Sequence, residues 1–224
     1  MIPVTQQAHD LLTARVRGPL AIDATAGNGH DTEFLARLVG PEGTVWAFDI
    51  QQEALLRTAC RLRERQITVE LRLRSAIVLG SEADAPDGRA APRVIGIEAS
   101  HAELDEHLPP SSRGQIAAIM FNLGYLPGAD QRCITALDST LAALDAALPW
   151  MAPEGVMTVV AYPGHPGGRE EAEAVREWFS KSAHAGACEW LCGDSVPWNQ
   201  GPQLFAMQRT RGTDAAVTSS PLDG

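Results

Sequence analysis

The residues best suited to chemistry in this sequence fall in five short stretches, 25–31, 49–51, 99–101, 122–128 and 162–168, each following an apolar run. In the first, Gly27-Asn28-Gly29 is a G-x-G turn that Asp23 precedes by four residues and that Asp31 and Thr32 follow. Glycines at such a turn let the backbone approach a ligand, and a helix opening near Asp31 would offer it unpaired N–H groups. A dinucleotide fingerprint wants Gly or Ala three residues after the second glycine, where this chain has Thr32. Asp49, followed by Ile50 and Gln51, closes the second apolar run at a distance suited to a ribose diol. Ser100 and His101 follow a third run, and His101 there is either a ligand contact or a surface histidine. Asp31 has two readings, an N-cap for its helix or a ligand contact. A Rossmann-like domain with a solvent-facing turn would also account for the glycines.

The elements that must position these stretches alternate between strand and helix. Residues 4–17 carry Val4, Ala8, Leu11, Leu12 and Val16 at helical spacing before Gly18-Pro19. Leu20–Ala24 is the strand ahead of the glycine turn, and Asp31–Val39 the helix after it. Thr44–Phe48 is the second strand, and Gln51–Gln66 a helix with Ala54, Leu55, Thr58, Ala59 and Leu62 inward. Thr68–Leu73 has strand character, but Gly80–Pro92 reads as loop, so Arg93–Ile97 is taken as the third strand and 68–92 as an insertion. Gln115–Phe121 is almost wholly apolar, as a strand buried on both faces should be. A helix over Arg132–Leu148, a strand over Gly155–Ala161 and a helix over Arg169–Ser182 follow. Residues 187–192 and 203–209 supply two last strands, expected antiparallel, and the tail from Gly212 reads as mobile. The implied fold is α/β: a doubly wound, mainly parallel sheet of about seven strands in one domain, residues 1–211, with ligands bound beyond the carboxyl ends of the strands.

Composition narrows the function classes. Net charge is −10, which argues against a general nucleic-acid coat. Seventeen of the eighteen basic residues are arginine, and six lie between Arg57 and Arg74. Arg57, Arg61 and Arg65 share a helical face, either solvated or a strip for phosphate contact. The four cysteines show neither C-x-x-C nor metal spacing with histidine, so no metal site is expected and a reduced, cytoplasmic setting fits. No basic, then apolar leader opens the chain and no apolar run approaches membrane-spanning length.

The order D-x-x-x-G-x-G from Asp23 to Gly29 resembles motif I of class I S-adenosylmethionine (SAM) methyltransferases. Asn122-Leu-Gly-Tyr125 stands where amine-directed members of that class carry Asn/Asp-Pro-Pro-Tyr/Phe. Together with Phe48-Asp-Ile-Gln51, Phe121–Gly128 and Tyr162-Pro-Gly-His165, these motifs resemble the rRNA methylase family, whose characterised members look like tRNA wobble-uridine methyltransferases. The resemblance runs from about residue 4 to 209. It implies SAM as cofactor, bound by Asp23, Gly27, Asn28, Gly29, Asp31, Thr32, Asp49, Ile50, Gln51, Ser100, His101 and Asn122.

It further implies that Asn122 aims a target amine at the methyl group, that Tyr125 covers a planar base, and that Tyr162 and His165 face the substrate. His165, or water held by it and Tyr162, could take the amine proton. The implied partner is the tRNA anticodon region. A SAM-dependent small-molecule amine methyltransferase would suit the acidity, and a noncatalytic nucleotide-binding module would have no need of Asn122 or His165. The oligomeric state is not legible, which leaves a homodimer open.

Overall fold

Buried strands in this chain send alternate side chains into two different cores, and that alternation sets the architecture. The computed structural model describes residues 2–78, 92–124, 137–164, 166–192 and 201–211. Its helices are α1 (Val4–Arg15), α2 (His30–Val39), α3 (Gln52–Glu64), α4 (Leu104–His107), α5 (Leu137–Ala147) and α6 (Gly168–His184). Its strands are β1 (Leu20–Asp23), β2 (Thr44–Asp49), β3 (Thr68–Leu73), β4 (Ala76–Val78), β5 (Arg93–Glu98), β6 (Ile116–Asn122), β7 (Met151–Ala161), β8 (Cys188–Cys192) and β9 (Gln203–Arg209). From the strands, Ile22, Trp46, Phe48, Ile95, Ile97, Ile119 and Phe121 enter one core, shared with α4, α5 and α6. Their neighbours Ala21, Val45, Ala47, Val94, Ala118 and Met120 enter the other, against α1, α2 and α3. Both faces of the central strands are therefore covered, as a parallel sheet requires.

The strands form a single sheet in the order β4-β3-β5-β2-β1-β6-β7-β9-β8. β3, β5, β2, β1, β6 and β7 run parallel, and β4 and β9 run antiparallel to their neighbours. From β1 the chain builds outward through β2 and then crosses back to lay β6 on the other side of β1. The carboxyl ends of β1 and β6 thus border the switch point, where an open α/β sheet binds ligands.

The doubly wound sheet agrees with the sequence, and its strand count does not. The expected insertion over 68–92 begins with sheet: β3 pairs parallel with β5, from Thr68 beside Arg93 to Arg72 beside Ile97. Hairpin partner β4 then closes the edge. Val69 and Leu71 are buried between half-buried Thr68, Glu70 and Arg72, the alternation of a strand with one covered face. These two strands raise the expected seven to nine. Residues 79–91 and the tail from Gly212 lie outside the described residues. Among those described, no helix is long and apolar enough to cross a membrane.

Candidate active site

Asp23 ends β1 and its side chain has no exposed surface. One carboxylate oxygen accepts the Thr25 N–H at 3.0 Å and the other accepts the Thr32 hydroxyl at 2.6 Å. Burial, and after it the like charge of Asp31, push its pKa up to about 7. The family resemblance puts Asp23 and Thr32 among cofactor contacts; in the structure both are fully buried and bonded to each other.

The turn runs through Gly27 and Gly29 in the left-handed region, at φ 53° and 78°. A Cβ on Gly29 would meet the Thr58 backbone at 2.9 Å, so the turn packs tightly against α3. Thr58 donates to the Gly27 carbonyl at 3.2 Å, and Arg61 Nε donates to the Asn28 carbonyl at 2.9 Å. Arg61 also reaches His30 Nε2 at 3.0 Å. An arginine can only donate, so that nitrogen of His30 is an acceptor. Because Gly29 takes the N-cap position and α2 starts at His30, Asp31 falls in the first turn of the helix. The N-cap reading of Asp31 is thereby corrected.

Asp31 faces the rim. Oδ1 lies 2.7 Å from Nε2 of His9 on α1, and Oδ2 accepts from Asn122 Nδ2 at 3.0 Å. Asn122 ends β6, and its backbone N–H donates to the Thr25 hydroxyl at 2.7 Å. Tyr162, just after β7, is hydrogen-bonded to Asn122, and its ring lies against Gly124. Burial, then the charge of Asp31, push the Tyr162 hydroxyl above the usual tyrosine value, against the lowering by its Asn122 bond. It therefore remains a neutral phenol at physiological pH.

On the other side of the turn, Asp49 accepts Gly27 N–H at 2.9 Å on one oxygen and Gln51 N–H at 2.8 Å on the other. Burial raises its pKa, and these two N–H groups oppose the rise. Ile50 stands half-exposed beside it. Ser100 caps the short 3-10 turn before α4 by accepting the Ala102 N–H at 3.2 Å. His101 is not a surface histidine. It is buried edge-on to Phe121, with Nδ1 3.2 Å from the Ala24 carbonyl. A carbonyl only accepts, so Nδ1 carries the proton and Nε2 is left as an acceptor. Burial lowers the His101 pKa, which keeps the ring neutral. Nε2 has no hydrogen-bond partner among the described residues.

These features fit the cofactor that the motifs imply. A buried acceptor lacking a donor, an acid with an unused lone pair on each oxygen, and a backbone turn without side chains converge on one rim. A nucleoside with an amino group and a ribose diol supplies the matching donors.

Of the residues the sequence singles out, Asp23, Asp49 and Asn122 close β1, β2 and β6, Asp31 and Tyr162 meet at Asn122, and His101 packs against the Ala24 carbonyl. Nothing in the sequence pointed to His9, to Thr25 as the support for Asn122, or to the Thr58 and Arg61 contacts. Tyr125 and His165 lie outside the described residues. The arginine face is already partnered: Arg57 pairs with Glu53, while Arg61 and Arg65 share Glu33. Among the described residues no group of three or more His, Cys, Asp or Glu is placed to hold a metal ion.

A profile of the family described as "Putative rRNA methylase" matches residues 45–207. The crystal structure of a protein described as a "putative rRNA-methylase" from Clostridium thermocellum is 30% identical, with a TM-score of 0.74, covering 93% of this chain and 98% of that one. A protein described as a "putative methyltransferase" from Streptococcus mutans, solved in complex with SAH, is 26% identical with a TM-score of 0.70, covering 93% of this chain and 99% of its own. The chloroplastic tRNA (mnm(5)s(2)U34)-methyltransferase of Arabidopsis thaliana is 34% identical over 181 residues, 79% of this chain and 57% of that protein. The chain thus spans less than two thirds of that relative's length.

Proposed function

This chain belongs to the rRNA methylase family of class I methyltransferases, and from that membership we propose a SAM-dependent N-methyltransferase acting on the 5-aminomethyl group of wobble uridine 34 in tRNA. The product is 5-methylaminomethyl-2-thiouridine. The Arabidopsis relative's tRNA specificity supports the substrate, and the SAH bound to the Streptococcus mutans relative supports the cofactor.

The observation that carries the reading is the setting of Asn122. Asp31 Oδ2 accepts from Nδ2 of Asn122, which fixes that end of the amide on its side and sends Oδ1 the other way. An oxygen so fixed accepts a hydrogen bond from a target N–H and turns the nitrogen lone pair toward the methyl donor. Most of the acceleration in an in-line methyl transfer comes from such positioning.

When bound, SAM supplies an electrophilic methyl group on a sulfonium sulfur. The Gly27–Gly29 backbone, Asp49, Ile50, Gln51 and His101 are the residues proposed to hold it. An aliphatic amine has a pKa of about 10 and must shed its proton before its lone pair can react. Tyr162, its hydroxyl held protonated, orients rather than deprotonates. His165 is the proposed proton acceptor and Tyr125 the proposed cover for the uracil ring.

Nucleoside mass spectrometry of tRNA from a strain lacking the gene tests the reading. The strain should accumulate 5-aminomethyl-2-thiouridine, and purified protein with SAM should convert it in that tRNA. An unchanged nucleoside profile would reject the tRNA substrate and favour a small-molecule amine, which the net charge of −10 would suit.

A further inference from the structure

We infer that His9 is a positioning residue for methyl transfer, holding Asp31 so that Asp31 in turn holds the amide of Asn122. The inference rests on the amine-aiming role proposed for Asn122. Three elements distant in sequence meet in this chain of contacts: α1 supplies His9, α2 supplies Asp31 and β6 supplies Asn122. The geometry is specific at each link. The His9 ring stacks on Phe34 with centroids 3.8 Å apart and planes 5° from parallel, which fixes the direction of Nε2. Phe34 lies one turn after Asp31 on α2, so the helix that carries the acid also carries the surface that aims its partner.

A carboxylate held through one oxygen can still swing about its terminal torsion, whose preference is broad. Asp31 is held through both, by His9 at 2.7 Å and by Asn122 at 3.0 Å. Its side chain is only 9% exposed, and that of His9 19%, so water has little room to replace either partner. Removing the His9 N–H frees one oxygen of a shielded carboxylate. Asp31 then turns toward whatever donor remains, and the Asn122 amide turns with it. His9 itself is bonded to none of the groups proposed above to hold SAM (the Gly27–Gly29 backbone, Asp49, Ile50, Gln51 and His101), so turnover should suffer more than SAM binding.

Two substitutions separate the hydrogen bond from the packing. His9→Phe keeps an aromatic ring on Phe34 and removes the donor, whereas His9→Gln keeps an N–H donor and removes the ring. His9→Phe should lower kcat for methyl transfer to tRNA from the deletion strain about tenfold, with SAM affinity within about twofold of wild type. His9→Gln should recover kcat to within about threefold of wild type. The side-chain NH2 resonances of Asn122, assigned by their loss in Asn122→Ala, report the same contact without turnover. They should shift in His9→Phe and stay near the wild-type position in His9→Gln. Unchanged kcat and resonances in His9→Phe, or a larger loss in His9→Gln than in His9→Phe, would overturn the inference and leave His9 as a packing residue. Full turnover in Asn122→Ala would instead remove the amine-aiming role on which the inference stands.

Discussion

On one side of the Gly27–Gly29 turn, Asp23 and Asp31 lie shielded from water, each with both carboxylate oxygens engaged. On the other, Arg57, Arg61 and Arg65 present a half-exposed row on α3, paired with Glu53 and Glu33. The two clusters use similar groups at similar distances, and burial makes them different. In the shielded cluster a lost partner leaves a charge or dipole that water cannot reach, so each hydrogen bond dictates the orientation of the next group. In the row on α3, solvent and salt stand in for a lost partner, and single ion pairs contribute little, about 0–1 kcal/mol. Precise aim belongs to the acid cluster; adjustable attraction belongs to the arginines. Arg61 also ties the row to the turn, since it donates to the Asn28 carbonyl as well as to Glu33.

The sharpest way to break this contrast is to remove the buried charge itself. Folding raises the Asp23 pKa from its ordinary 3.8 to about 7. Below about pH 4 the native and unfolded chains are both protonated there. As pH rises toward 7 the unfolded chain gives up its proton first, so Asp23 makes the native state progressively less stable. Above pH 7 both states are ionised and the loss is complete. Asp23→Asn preserves an acceptor for Thr25 and a polar partner for Thr32 without the charge. Chemical denaturation should show the variant gaining on wild type from pH 4 to pH 8, by roughly 4 kcal/mol at most at 1.36 kcal/mol per pKa unit. Parallel stability profiles over that range would show that Asp23 titrates alike in both states.

Aim, as distinct from charge, is tested at Asn122. Asn122→Ala should lower kcat roughly a hundredfold while SAM affinity stays nearly constant, because a small misplacement of reacting atoms costs that much. Near-normal turnover in a methyl-transfer assay would reduce the loop to a turn. Asp49→Ala should do the reverse. It removes a charge-assisted acceptor and weakens SAM binding by ~1.5–3 kcal/mol, roughly tenfold or more, as read by calorimetry. Unchanged affinity in a folded variant would reject the ribose assignment.

How much of this was legible depends on how local each signal is. The strand, glycine turn and helix over 20–39 are adjacent in sequence, and the apolar run of β6 needs no partner to be seen. β3 carried the alternation of a one-faced strand in Val69 and Leu71, but β4 is three residues long and too short to show a period. Without β4, the hairpin could not be told from the loop-like stretch beyond it. His9 was invisible for a different reason. The stripe of α1 marks Ala8 and Leu12 as inward, while the neighbouring histidine acquires its meaning only when α1 packs beside α2. Of the two readings open for Asp31, the cap fails because Gly29, in the left-handed region, takes that position ahead of it.

The smallest effect is expected where charge is exposed. If the substrate is tRNA, Arg57 and Arg65 can exchange their carboxylate partners for phosphate at little cost, because Glu53 and Glu33 hold them only through solvent-screened pairs. Arg61 should be left intact, since losing it would disturb the turn and confuse an RNA effect with a cofactor effect. The double variant Arg57→Gln with Arg65→Gln should weaken tRNA binding a few-fold and lower the slope of log affinity against log salt by roughly one unit for each phosphate that is no longer neutralised. SAM affinity and thermal stability should be unmoved, because neither residue touches the turn. Titrations of tRNA binding at several salt concentrations read the slope directly. A slope equal to that of wild type would make the row a solvated helix face, and tRNA would then have to be held by other cations of this acidic chain.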